Sequence, residues 1–239
     1  AVNGSVVTWV LLSTLEGTNA SLAAAGVGLE DVDSSMATIE VEGCTRGSLE
    51  VRTTQRGTLG EAQEAFASAL YVPSRHWSGW DTCTLMVMTW DAGNTSRPAA
   101  VAGLDIRVHV LAVNDPPTIG GSSSLHTIED RPVRLGELLV VDDVDAGEHQ
   151  LAVALEVPLG SLTGGLPCSI LPLGGAALHL QGSLSLLRAC LPDVTYTPPV
   201  GWFGSTALRV NVSDQGYTGL GLPGITVTER IVTVQPVNH

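Results

Sequence analysis

The sequence predicts an all-β protein built as two tandem β-sandwich domains, residues 1–115 and 116–239. Three observations point there: an internal repeat of about 120 residues, strands of alternating polarity that end on matched acidic residues, and a composition rich in aliphatic and turn-forming residues. Apolar residues make up 44% and charged residues only 15%, which describes a folded chain with a sizeable core and not a disordered one. Recurrent valine, threonine, glycine and proline favour short strands joined by tight turns, with little helix.

The repeat rests on four pairs of landmarks in the same order. LEDVDSSMATIEVEG, around Asp31 and Asp33, matches VDDVDAGEHQLAVALEV around Asp143 and Asp145. YVPSRHWSGW from Tyr71 matches YTPPVGWFGS from Tyr196, and the strands that follow end at Asp91 and Asp214. HVLAVNDPP, ending at Pro117, matches TVQPVNH, ending at His239. The landmarks are offset by 112, 125, 123 and 124 residues, so the register holds after one early insertion in the second copy. A unit of this length suits a sandwich of about seven short strands.

Parity supports the strands. Leu208, Val210 and Val212 point one way while Arg209, Asn211 and Ser213 point the other, as a half-buried antiparallel strand requires. Leu104, Ile106, Val108 and Val110 share a face in the first copy, and these two strands are expected to pair. TLMVMTW is apolar on both faces, so Met86, Met88 and Trp90 read either as a surface covered by a loop or a neighbouring domain, or as scattered surface hydrophobes.

The net charge of −13 excludes nucleic acid as a partner, because 11 arginines spread over 239 residues form no cationic patch. An acidic surface suits divalent cations better. No apolar run reaches the roughly 18 residues that span a bilayer, so no direct membrane insertion is expected. The chain opens on Ala1 without a basic leader and closes inside a linker motif, which reads as a segment excised from a longer array.

EDRP at Glu129 to Pro132, DVDAG at Asp143 to Gly147, TYTP at Thr195 to Pro198, VSDQG at Val212 to Gly216 and VNDPP at Val113 to Pro117 occur in a set order. Together they closely resemble the cadherin-like, immunoglobulin-type repeats strung in series in very large surface proteins, and the resemblance covers nearly the whole chain. It implies a calcium-stiffened rod that works in adhesion or as a surface layer, with neighbouring repeats, identical chains or other surface proteins as partners. It also implies that Glu16, Asp91, Asn114, Asp115, Asp143 and Asp145 converge as calcium ligands at the junction of the copies, since calcium takes six to eight hard oxygens. Glu129, Asp130 and Asp214 would be their equivalents for a third copy. The linker departs from the family's DxNDN: Ala112 replaces the first aspartate and Pro116 the last asparagine, which removes two ligands. The alternative is that these residues cap their own turns, with Pro116 and Pro117 stiffening the linker.

Cys44 and Cys83 fall in the first copy, Cys168 and Cys190 in the second. Pairing within each copy is the connectivity that lets each domain fold alone, with free buried thiols as the alternative. Sequons at Asn3, Asn19, Asn94 and Asn211 predict an extracellular, glycosylated surface. Catalysis finds no support: the six histidines lack HExxH spacing, no GxSxG elbow occurs, and no CxxC pair offers zinc ligands. The GxGxxG at Gly219, Gly221 and Gly224 contains Pro223 and lies between strands, so it reads as a flexible loop.

The leading function is a structural or adhesive segment of a large extracellular surface glycoprotein, not an enzyme. One rival is the protomer of an extracellular filament, sheath or appendage. A second is a carbohydrate-binding module that stacks sugars on Trp77, Trp80 or Trp202, although Trp77 and Trp202 occupy matching positions and read as core residues.

Overall fold

A computed structural model describes residues 9–26, 35–51, 57–90, 96, 98, 100–164, 166–168, 174–217 and 219–238. The chain divides into two compact units, Ala1–Ala112 and Val113–His239. Each is a β-sandwich with its own hydrophobic core.

In the first unit the strands are β1 (Trp9–Leu15), β2 (Ala20–Ser21), β3 (Met36–Cys44), β4 (Gly47–Glu50) and β5 (Gly57–Thr58), then helix α1 (Leu59–Ala67), β6 (Leu70–Pro73), β7 (Gly79–Trp90) and β8 (Ala100–Leu111). One sheet has the order β1-β8-β7-β3-β5 and the other β2-β6-β4. The second unit contains β9 (Thr118–Gly120), β10 (Ser124–Ile128), β11 (Val133–Arg134), β12 (Val140–Asp142), β13 (Gln150–Glu156), β14 (Ser161–Thr163), β15 (Gly174–Gly175) and β16 (Ala177–Ser183). Helix α2 (Leu184–Cys190), β17 (Thr195–Thr197), β18 (Gly204–Ser213) and β19 (Ile225–Gln235) complete it. Its large sheet is β10-β19-β18-β13-β16, faced by β11-β17-β14-β15, with β9 and β12 paired separately.

The copies share one plan, to which the second adds β9, β12 and β15. The N-terminal strand runs parallel to the last strand in both, β1 with β8 and β10 with β19. A hairpin of the two longest strands follows the same plan, β7 with β8 and β18 with β19. The expected pairing between the Leu104–Val110 strand and the Leu208–Val212 strand is corrected: each pairs inside its own unit, β8 with β7 and β1, β18 with β19 and β13. The inward parity of both strands is as expected, because each already has a core of its own to face. Met86, Met88 and Trp90 are half-buried on the opposite face of β7.

Both tyrosine strands are anchored in one way. Tyr71 and Tyr196 are fully buried, and each sits opposite the leucine of a Gly-Ser-Leu triplet, Leu49 and Leu162. The glycine of each triplet lies under the ring. A Cβ on Gly47 would fall 2.6 Å from the Tyr71 ring. Gly160 holds φ +90°, and a Cβ there would fall 2.5 Å from the Thr197 carbonyl oxygen and 2.7 Å from the Tyr196 ring. Gly160→Ala is therefore expected to cost about 3 kcal/mol, combining backbone strain with a clash that neither neighbour can relieve. A denaturant melt showing less than about 1 kcal/mol would contradict this packing.

The short helices precede the tyrosine strands in both copies. Thr58 caps α1 in a full capping box with Glu61, and Ser183 caps α2 by accepting from the Leu186 N–H. Both disulfides form within their own units, Cys44 with Cys83 and Cys168 with Cys190. Cys44 and Cys83 are directly opposed on β3 and β7, whereas Cys168 reaches from the loop after β14 to the last residue of α2.

Candidate functional site: an acidic cluster in the second unit

The VNDPP segment belongs to the second unit from Val113 onward. Val113 bridges to Leu220, and the Asn114 N–H donates to the Leu220 carbonyl at 3.0 Å. The Asn114 amide donates to Asp214 Oδ2 at 2.7 Å and to the Leu222 carbonyl at 3.3 Å. Asp214 is only 1% exposed, and its Oδ1 accepts from the Gly216 N–H at 2.7 Å and the Gly224 N–H at 2.8 Å. The last glycine of GxGxxG thus works as a donor in a tied loop, and a Cβ on it would fall 2.3 Å from Asp214 Oδ2.

Beside this knot lie Asp143 and Asp145, on the turn that follows β12. Asp143 Oδ1 accepts from the Asp145 N–H at 3.2 Å and the Ala146 N–H at 3.0 Å, which is the turn-capping role expected of a short acidic side chain. Asp145 Oδ2 accepts from the Asp115 N–H at 3.0 Å and so ties the turn to the linker segment. The second oxygen of each carboxylate is different: Asp143 Oδ2 and Asp145 Oδ1 are buried without a donor among the described residues, and protonated Asp143 can share a hydrogen bond with the Asp145 carboxylate. Burial, reinforced by the adjacent Asp145 carboxylate, pushes the Asp143 carboxyl up to about 7. Two neighbouring carboxylates with buried, unsatisfied oxygens are unfavourable alone, and a hard divalent cation relieves both problems at once. The residues fit such an ion in the chemistry of their donors.

Hydrogen bonds thus link Asp143 with Asp145, Asp145 with the Asp115 backbone, and Asn114 with Asp214. Glu16 lies in the first unit just past β1, where its N–H donates to the Leu111 carbonyl at 2.9 Å. Asp91 lies outside the described residues. The grouping of Glu129, Asp130 and Asp214 is corrected by the strand register. Glu129 follows β10, which ends beside Gln235, whereas Asp214 follows the opposite end of the β18–β19 hairpin. Glu129 Oε2 accepts from the Val237 N–H at 3.2 Å and Asp130 Oδ1 from the Gly201 N–H at 2.9 Å, so both cap backbone at their own end.

An acidic residue that the motifs do not flag dominates the first unit. Asp81, 2% exposed, accepts through Oδ1 from the Thr45 N–H at 3.0 Å, the Thr45 hydroxyl, the Arg46 N–H at 3.1 Å and the Thr82 N–H at 2.8 Å. Its Oδ2 accepts from the Tyr71 hydroxyl at 2.8 Å. Burial opposes its charge, but these donors outweigh burial and hold the carboxyl below its ordinary range. The signal was parity: Asp81 shares the inward face of β7 with Cys83, Leu85 and Val87.

Among the aromatic candidates, Trp77 and Trp202 pack against their cores. Trp80 is 61% exposed and stacks on His109, with ring centroids 4.4 Å apart and planes 7° from parallel. Of the sequons, Asn19 is exposed and Asn211 half-buried on β18; Asn3 and Asn94 lie outside the described residues.

No family model matches the chain, and no curated protein matches it in sequence. Solved structures do match. Its structural neighbours include cadherin repeats. Human mucin-like protocadherin EC1-2 is 14% identical, with a TM-score of 0.45 over 97% of this chain and 98% of that one. Drosophila N-cadherin EC1-4 is 12% identical, with a TM-score of 0.43 over 98% of this chain and 50% of that one. DIP-gamma IG1+IG2 is 11% identical, with a TM-score of 0.36 over 98% and 97% of the two chains. The two sandwiches stand on the strand pairings described above.

Proposed function

We propose that the chain is a non-catalytic, structural or adhesive tandem-repeat segment of a large extracellular surface glycoprotein, stabilised by calcium held in its second repeat. The observation that carries this reading is the Asp143–Asp145 pair, whose buried oxygens lack a donor among the described residues, on a turn tied to the VNDPP segment. Two intra-unit disulfides support an oxidising compartment. The two repeats of one plan, each with its own core, support a role in spacing or adhesion through neighbouring repeats or surface proteins.

Thermal unfolding with calcium or with a chelator tests it. A ligand that binds only the folded state stabilises by about 2.7 kcal/mol at a hundredfold excess over its Kd. The melting temperature is expected to rise with millimolar calcium and to fall on chelation, with the gain confined to the second unit by hydrogen exchange. An unchanged melt would remove calcium from the reading.

A further inference from the structure

We infer that Asn211 is an N-glycosylation site whose first sugars cover an exposed aliphatic stripe on the large sheet of the second unit. Asn211 heads the triplet Asn211-Val212-Ser213 and sits mid-strand on β18, opposite Val227 of β19 on one side and Ala154 of β13 on the other. Its side chain faces outward, because Val210 and Val212 on either side are buried. The Asn211 amide makes no hydrogen bond among the described residues, in contrast to Asn114, whose amide is bound to Asp214.

On one side of it the sheet face is small, with Ala152, Ala154 and Ser213; on the other, Arg209 stands between it and Ala207 and is paired with Glu229 and Glu156. Beside it β19 leaves Ile225 and Val227 exposed by 59% and 47%, and Ile231, beyond Glu229, by 47%. A flat β-branched stripe of this kind needs cover. A protein partner seated there would bury the Asn211 amide without a hydrogen bond, at a cost of about 1–3 kcal/mol. A sugar linked through that same amide removes the conflict, and the small neighbours leave room for its ring. The bond forms when the Asn211 amide nitrogen displaces diphosphate from the anomeric carbon of a lipid-diphosphate-linked oligosaccharide. A C–N bond replaces a C–O bond, the nitrogen loses one proton, and the lipid diphosphate leaves.

The inference rests on the extracellular reading, and a secreting host separates the two. The chain is secreted from a eukaryotic cell line behind a host signal peptide, and the peptide spanning Asn211 is analysed by mass spectrometry. A hexosamine-based glycan on Asn211 is the expected result; unmodified Asn211 in folded, secreted protein overturns the site and leaves the calcium test standing. Asn211→Gln and Ser213→Ala, which abolish the triplet in different ways, are each expected to raise binding of an apolar dye severalfold at an unchanged fold by circular dichroism. Asn19→Gln is expected to leave it unchanged. Equal dye binding by the parent and both triplet variants, or an equal rise with Asn19→Gln, would refute the shielding.

Discussion

Asp81→Ala is expected to destabilise the first unit by about 4 kcal/mol, a large share of what holds a domain of this size together. The substitution removes no more than a carboxylate, but it strands the buried Tyr71 hydroxyl and takes the acceptor from the part-buried N–H groups of Thr45, Arg46 and Thr82. Each unsatisfied donor costs about 1–3 kcal/mol when buried, and relaxation recovers part of the sum. Tyr71→Phe provides the contrast. It removes a donor and leaves the carboxylate its other partners, so a loss of about 1 kcal/mol is expected. The second unit shows why the acid is a local solution. Thr206 occupies the position matching Asp81, and the Tyr196 hydroxyl donates to the Leu159 carbonyl at 3.1 Å. Thr206→Ala should therefore be far milder. Denaturant melts of the four proteins, with hydrogen exchange resolving the units, check this; an Asp81→Ala loss no larger than that of Tyr71→Phe would show that the backbone donors find water.

The same network fixes a pH response. The folded Asp81 carboxyl lies below its unfolded value, so its stabilisation is present above the unfolded value of about 3.9 and is lost as pH falls through the folded one. The first unit should weaken toward acid, and Asp81→Asn should flatten that limb.

What could be read in the sequence and what could not divide along physical lines. The repeat, the strand parity and the packing of Trp77 and Trp202 were legible because each depends on local period or on a bulky residue in a fixed frame. Gly-Ser-Leu at Gly47 and Gly160, and the Gly-Thr-Leu and Gly-Ser-Leu starts of the helices at Gly57 and Gly182, were equally legible and were missed. They mark the insertion between them, where Cys168 lies, and the Thr58…Glu61 box announces a helix that composition alone conceals. Which acids meet was not legible from order along the chain. Asp214 and Glu129 both flank long strands, and only the parallel pairing of β10 with β19 reveals that they occupy opposite ends. Asp81 was hidden for another reason: it belongs to no ligand motif, and its role depends on the Tyr71 ring reaching it across the sandwich.

Asp143→Asn is expected to separate the two roles that the acidic turn combines. Asparagine keeps an oxygen to accept from the Asp145 and Ala146 N–H groups, so the turn should persist. It removes the charge that burial and Asp145 oppose, and the metal-free second unit should gain on the order of 1 kcal/mol at neutral pH, the scale of two close charges screened as in water. In the parent the folded carboxyl stands near 7, above its unfolded value, so its stabilising contribution is complete below about pH 4 and is lost as pH rises through 7. With chelator present, the parent's second unit should therefore weaken between pH 5 and 8, and the variant should not. Adding calcium at pH 8 should restore the parent and leave the variant unmoved, because the ion exchanges a charged oxygen for a neutral one. A variant that loses stability with pH as steeply as the parent, or responds as strongly to calcium, would show that Asp143 is a turn former alone. A gain in the metal-free variant together with a lost calcium response would mean that this repeat keeps an unfavourable charge pair because an ion completes it.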